Sequence, residues 1–415
     1  MTSVEQAAQI PAEPRTSRGL FNLIAAEGVS VAGDWVLNTA ASIAVFRETS
    51  STAAVSLLLA LAALPTLVLA PLAGAIADRV DRRHVMAWAD AASAMVLLLC
   101  IGAAILGFQL AAEFAAVFVV AALATFHRPA SEALLPSLAG ERDLGRVNST
   151  LRLASRLAII IGPAIASGLM TVGGFRLVLV VDAASFVVSA LLIAAIPAVQ
   201  LAGSATRTSA FRAAAAGLGY ARRTPHVRSI VLAIGITMLV APIVNAGTLT
   251  LVSETLHLPE SRYGVLLSAE GGGALALALL FMYLGPRLKL LPVGAGALVT
   301  TGGATILLGA SPGMLVALLA MAIMGMGVVG LQICFASYLQ KETEDEMRGR
   351  VMSLVSMVAS TAGLIGFALA GPAVYAVGVR EAFAGAGVVI CLSAVPVLRM
   401  IAGMGRMAVP AVEAP

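Results

Sequence analysis

Apolar runs of about 20 residues, the length a helix needs to cross the hydrocarbon core of a bilayer, recur along nearly the whole of this chain, separated by short polar breaks. Hydrophobic residues make up 60% of the 415 positions and charged residues 12%, with a mean hydropathy of +0.97. A soluble domain carries about 25% charged residues, so water is not the main solvent of this chain. The expected fold is an all-α membrane protein. Spans are read near 20–46, 53–77, 85–108, 113–136, 150–171 and 177–199, then near 229–252, 262–285, 291–310, 313–340, 351–375 and 381–402. That is about twelve transmembrane helices.

The longest polar break divides the chain into two pseudo-symmetric six-helix bundles. The expected organisation is a cytoplasmic tail over 1–19, a first bundle over 20–199, a cytoplasmic linker over 200–228, a second bundle over 229–402 and a cytoplasmic tail over 403–415. The linker stretch "TSAFRAAAAGLGYARRTPHVR" has the makings of an interfacial helix with arginines toward the headgroups. "GRVNSTL" from Gly145 enters the fifth span and "GRVMSL" from Gly349 enters the eleventh, and the same shift carries Gly162 onto Gly366. A duplicated half produces this pattern and places a binding site between the halves at mid-membrane.

Basic residues set the orientation. Arg79, Arg82, Arg83, Arg142, Arg146, Arg207, Arg212, Arg222, Arg223, Arg287, Lys289, Lys341, Arg348 and Arg350 fall in one set of loops, against Arg47, Arg176, Arg262 and Arg380 in the other. The positive-inside rule then predicts both termini in the cytoplasm of a protein of the cell's inner membrane. The stretch before Arg18 lacks the basic start and short apolar core of a cleavable signal. The net charge of +4 is explained by these loop arginines, and no nucleic-acid partner is expected. Cys100, Cys334 and Cys391 lie inside apolar runs without metal-ligand spacing, so they read as buried small hydrophobes and no metal site is expected.

The loop after the second span reads "LAGAIADRVDRRHVM", with Gly74, Asp78, Arg79, Arg82 and Arg83 in the spacing of the signature loop of the major facilitator superfamily. The chain resembles that family, in the form found in enterobactin-type and macrolide-type exporters. Asp81 departs from the general pattern, where a glycine is usual. "SVAGDW", "RPASEALLP", "IIIGPAIASGL", "VVDAASF" and "MRGRVMSL" carry the resemblance along the chain. It implies alternating access, with the halves rocking about a central site and the signature loop serving as part of an inner gate. Asp78 is placed to meet the positive N-terminal end of a neighbouring helix, and the arginines to pair with acidic groups or headgroups. A simpler role for those arginines is to anchor orientation.

No phosphate-cradling loop can be completed around Lys289 or Lys341, so no ATP use and no cofactor are expected, and a proton gradient is the economical energy source. Proton coupling needs carboxylates inside the membrane, where a charge at helix centre costs about 2.5–3.5 kcal/mol. Glu27, Asp34 and Asn38 share one face of the first helix, and Glu270 sits half-way along the eighth, followed by Gly271, Gly272 and Gly273. These are the candidates for proton coupling or substrate binding; the plainer alternatives are a helix-end bond for Asp34 and an arginine partner for Glu27. A second group, Asp90, Arg128, Glu132, Arg152 and Arg156, reads as a charge lattice joining three helices, with anionic-substrate binding as the alternative.

Gly162 and Pro163 resemble a degenerate form of the motif of drug–proton antiporters and are hinge candidates, ordinary helix packing being the default. Asn245, Gln332 and Tyr338, with Asn38, are expected as polar points in a cavity lined by Met, Phe and Leu. The first functional reading is secondary active transport, proton-coupled efflux of a small lipophilic, drug-like or siderophore-like molecule by a monomer. Its partners are then the substrate, protons and the lipid bilayer. The alternatives are a lysophospholipid flippase or metabolite importer of the same fold and, from a different class, a non-transporting scaffold or sensor. No nucleophile, base and orienting group assemble at catalytic spacing, so no enzyme is expected.

Overall fold

The computed structural model describes residues 17–197, 210–285 and 288–407. The first tail to residue 16, the linker through 209 with Arg207, Arg287 and the tail from 408 lie outside the described residues, as do the side chains of Arg142, Arg146, Arg152 and Arg212. The helices are α1 (Ser17–Thr49), α2 (Thr52–Arg79), α3 (Arg82–Ile105), α4 (Gln109–Val172), α5 (Gly174–Ala194), α6 (Ala210–Arg223), α7 (Pro225–Thr250), α8 (Arg262–Leu284), α9 (Leu290–Gly309), α10 (Met314–Glu342), α11 (Asp345–Val377) and α12 (Val379–Met407). Among the described residues, 12 helical stretches are long and apolar enough to cross a membrane, as the apolar runs predict. This is a multi-pass membrane protein. The even number of crossings puts residues 17 and 407 on one face, the terminal face, and the α1–α2 turn on the opposite, far face.

The expected polar loop between the fourth and fifth spans is itself helical, so both spans belong to α4, as the limbs Gln109–Ala139 and Ser149–Val172. A straight helix of 64 residues would run about 96 Å. It does not run straight, because Ser131 of the first limb reaches Glu27 of α1 while Ala154 of the second packs on Gly28 beside it. The chain therefore reverses between the limbs at the terminal face. The linker helix α6 lies against the start of α11, with Gly217 directly on the Arg350 carbonyl.

The duplication is visible in packing. Gly162 packs on Ala32 and Trp35 of α1, and Gly366 of α11 packs on Leu239 and Pro242 of α7. The shift that carries Gly162 to Gly366 also carries Trp35 to Leu239.

The two faces differ in how the halves meet. On the far side one core is shared: Ile43, Val55 and Phe175 of the first half are continuous with Ala246, Leu249, Tyr263 and Ala370 of the second. On the terminal side the cores are separate, one around Leu23, Met86 and Leu134 and another around Ile230, Phe335 and Leu354. Thr52 and Thr250 meet hydroxyl to hydroxyl at 2.5 Å, Gly371 rests on Ala53, and Arg47 Nε reaches Glu260 Oε2 at 3.4 Å. The molecule is closed at the far face and open toward the terminal face.

The signature loop sits at that open end. Asp81, the departure from the usual glycine, caps α3: its carboxylate accepts from the Arg83 backbone N at 3.0 Å and from the Arg83 guanidinium at 2.6 Å. Arg82 donates to the Ala133 carbonyl and Arg83 to that of Ile196, so both arms tie α3 to its own half. Asp78 has no hydrogen-bond or ion-pair partner among the described residues, and no atom approaches the position a Gly74 side chain would take.

The Arg83 guanidinium bonded to Asp81 holds that carboxyl below the ordinary carboxylate range. A carboxyl lowered in the folded state contributes stability above its unfolded value, about 3.9, and loses it as pH falls through the lowered folded value. Asp81→Asn keeps the cap and removes the charge. It is expected to destabilise by about 0.5–1 kcal/mol at pH 7, and the gap to wild type in thermal unfolding should close as the pH drops below about 4.

Candidate functional site

Between the halves lies a cavity of about 320 Å³ lined by Asp34, Asn38 and Thr39 of α1, Asn245 of α7, Tyr263 of α8 and Phe367 of α11. The helical spacing puts Asp34 and Asn38 one turn apart on the same face, and both face this cavity as expected. Asn38 donates to the Asp34 carbonyl at 2.7 Å, which fixes its amide. Tyr263 donates to the Asn245 carbonyl at 3.2 Å, tying α8 to α7 on the far side of the cavity.

Glu27, two turns nearer the terminal face, departs from its helical neighbours and turns into the first half. Ser131 Oγ donates to its Oε2 at 2.8 Å, and His127 Nδ1 lies 3.8 Å from the same oxygen. The other His127 nitrogen, Nε2, is 3.5 Å from Asp90 Oδ2, which accepts from Ser189 Oγ at 2.5 Å. Four helices thus converge on one buried polar chain: Glu27 of α1, His127 and Ser131 of α4, Asp90 of α3 and Ser189 of α5. Asp34 lies within electrostatic reach of His127, Asp90, Glu27 and Asp182. Asp182 of α5, 1% exposed, accepts from Ser185 Oγ at 3.1 Å and abuts Gly33, where any side chain would displace it.

Among the described side chains, this cluster stands in place of the expected arginine lattice. Asp90 pairs with His127 rather than with arginine. Arg128 and Glu132 pair with each other at 3.7 Å on an exposed face. Arg156 reaches Gln332 of α10 across the halves at 3.3 Å. The arrangement has a simple cause: positions 127 and 131 face α1 and α3, whereas Arg128 and Glu132, one residue on, are rotated out.

Glu270 lies on the α8 face that carries Tyr263 and Leu267, both lining the cavity, and has no hydrogen-bond or ion-pair partner among the described residues. The glycines after it serve helix contact: Gly271 packs on Ile160 of α4 and Gly273 on the Ala322 carbonyl of α10. Gly162 and Pro163 also stand at contacts, Gly162 against α1 and the Pro163 carbonyl against Gly264 of α8. The expected polar points divide. Asn245 lines the central cavity, Gln332 lines a second cavity in the second half, and Tyr338 lines neither, its ring packing edge-on against His226 at 6.0 Å.

His127 and Asp182 were missed as site residues by sequence reasoning, and the buried acid Glu113, outside the site, was passed over as well. Their signal was present, a charged or titratable side chain inside an apolar span. Glu113 is 0% exposed near the far end of α4, with Gln109 at 3.5 Å from one oxygen.

The Arg47–Glu260 pair links α1 to the segment before α8 at the closed far face. Exposed pairs contribute about 0.2–1 kcal/mol. Arg47→Glu is therefore expected to increase modification of Cys introduced at Asn38 by an impermeant maleimide from the far side a few-fold, and Glu260→Arg in the same chain to restore protection.

The major facilitator superfamily model matches residues 23–367 and 246–404. The multidrug efflux pump Tap of Mycobacterium tuberculosis is 29% identical over 384 residues, covering 88% of this chain and 88% of Tap. The MFS-type transporter YfiS of Bacillus subtilis is 26% identical over 378 residues, 89% of this chain and 90% of that one. Macrolide efflux protein A of Streptococcus pyogenes is 23% identical over 387 residues, 90% and 94% of the two chains. Among solved structures, a bacterial homologue of the iron transporter ferroportin in an inward-facing state superposes with a TM-score of 0.72 at 18% identity, over 92% of this chain and 98% of that one. The shared far-side core, the duplicated halves and the matched family model agree that this chain belongs to the major facilitator superfamily of transporters.

Proposed function

We propose that the chain is a proton-coupled exporter of a small lipophilic, drug-like molecule, working by alternating access in the inner membrane with its terminal face in the cytoplasm. The observation that carries the reading is the buried chain Glu27–His127–Asp90 beside the cavity carboxylate Asp34. Three carboxylates, Glu27, Asp34 and Asp90, gathered about one imidazole in an apolar bundle make a constellation suited to binding and passing a proton. In this reading Asp34 exchanges its proton with the cavity, while His127 passes it between Asp90 and Glu27 toward the terminal face. Glu270 supplies an acidic group from the second half.

The open terminal face is the cytoplasm-facing state. Gly74, Asp78, Arg79, Arg82 and Arg83 form the inner gate, and Asp78 gains a helix N-terminus of the second half when that face closes. The basic loops support the orientation. The multidrug efflux of Tap and the macrolide efflux of the streptococcal protein support export and a drug-like substrate. Flux into proteoliposomes under an imposed pH gradient, over a panel of lipophilic drugs and polar metabolites, tests the proposal. Acceleration of lipophilic substrates by the gradient supports it. Flux indifferent to the gradient, or confined to polar metabolites, overturns it.

A further inference from the structure

The proton cluster leaves a second cavity unused. It measures about 260 Å³ and lies within the second half, lined by Met238 of α7, Leu331 and Phe335 of α10, and Met352 and Val355 of α11. Two polar side chains line it, Thr237 and Gln332. The Thr237 hydroxyl is committed to the Ala233 carbonyl at 2.8 Å. Gln332 therefore marks the polar end of an otherwise apolar chamber, and it is Gln332 Oε1 that accepts from Arg156 Nη2 of the first half at 3.3 Å.

Arg156 is poorly matched by that partner. A guanidinium offers five donors in a planar fork suited to a carboxylate, sulfonate or phosphate, and a charge in a membrane span costs about 2.5–3.5 kcal/mol at helix centre. Arg156 has no acidic partner among the described residues, being absent from every ion pair formed there. Among the described residues its one hydrogen bond goes to a neutral amide.

We propose that Arg156 and Gln332 hold the anionic end of an amphiphile whose apolar body fills the cavity around Met238, Phe335 and Met352. The flexible thioethers and the aromatic ring accept apolar bodies of varied shape, whereas the guanidinium fixes the sign of the head group. The site bridges the two halves, so a ligand held there engages both as they rock. This rests on the export reading and names the charge of its substrate.

The test uses the full chain in phosphatidylcholine nanodiscs, without any gradient, and three probes of one shape: 2-naphthoate, 2-naphthylmethylamine and 2-naphthylmethanol. Calorimetric titration is expected to give naphthoate at least a tenfold advantage over the other two. Arg156→Gln should erase that preference, Arg156→Lys should keep most of it, and Val355→Trp should weaken all three by filling the chamber. Displacement of naphthoate by phosphatidylglycerol in the nanodisc would identify a lipid as the source of the anion, and lack of displacement a water-soluble amphiphile. Equal binding of the three probes by the wild type, or an undiminished naphthoate preference in Arg156→Gln, overturns the proposal. Because no gradient is applied, failure of proton coupling leaves this result intact.

Discussion

Asp34→Asn is expected to reduce pH-gradient-driven flux by about tenfold or more, the effect of about 1.4 kcal/mol of lost coupling, while substrate exchange without a gradient continues. Asparagine is nearly isosteric with aspartate, so the cavity wall with Asn38 and Asn245 keeps its shape. What disappears is a group that changes charge. The neighbouring acids Asp182, Asp90 and Glu27 are then left without the carboxylate that joins their cluster to the cavity. Glu27→Gln makes the comparison informative, because its amide oxygen still accepts from Ser131 at the same place. It should slow driven flux by interrupting the route through His127 and leave exchange near wild type. Driven flux unchanged in both variants would remove the cluster from the mechanism.

The second large effect comes from packing. Gly264 of α8 lies directly on the Pro163 carbonyl and Ser167 of α4, and Ser268 one turn later donates to the Ile160 carbonyl at 2.6 Å. The two helices belong to different halves, so this contact is part of what closes the far face. Gly264→Leu inserts a side chain where backbone atoms already sit. Overpacking costs about 1–3 kcal/mol, and here the strain falls on the closed arrangement alone. The population facing the terminal side should drop by about tenfold or more. Double electron–electron resonance between far-side labels on α2 and α8 is expected to show longer distances, with transport lost. Unchanged distances with normal transport would show that the contact does not limit closure.

Much of the architecture was legible because hydrophobic length is a local property. Each apolar run had to become a spanning helix, and the repeated "GRV" entry to the fifth and eleventh spans already indicated two equivalent halves. The turn between the limbs of α4 was less legible: its polar residues read as a loop, yet the backbone continues in helical geometry. Among the candidate site residues, Asp34 and Asn38 were predictable from spacing on one helix. Glu27 shares that spacing but turns elsewhere, because Ser131 and His127 on α4 draw it aside.

The charge group around Asp90 shows where sequence reasoning stops. Four-residue spacing showed that Arg128 and Glu132 share a face, as do Arg152 and Arg156, but not which face meets the other helices. The rotation of α4 placed His127 inside and Arg128 outside, and that choice is fixed by the apolar contacts of Ala130 and Leu134 with the terminal-side core.

By itself the sequence determined the membrane as solvent, the number of spans, the duplication and the presence of acids that apolar helices do not carry without cause. Only the tertiary structure decided which acid meets which base, which face is closed and that Arg156 reaches Gln332 on the wall of an apolar chamber. The physical reason is range: length and periodicity act along one helix, whereas a partner across the bundle depends on how twelve helices rotate against one another.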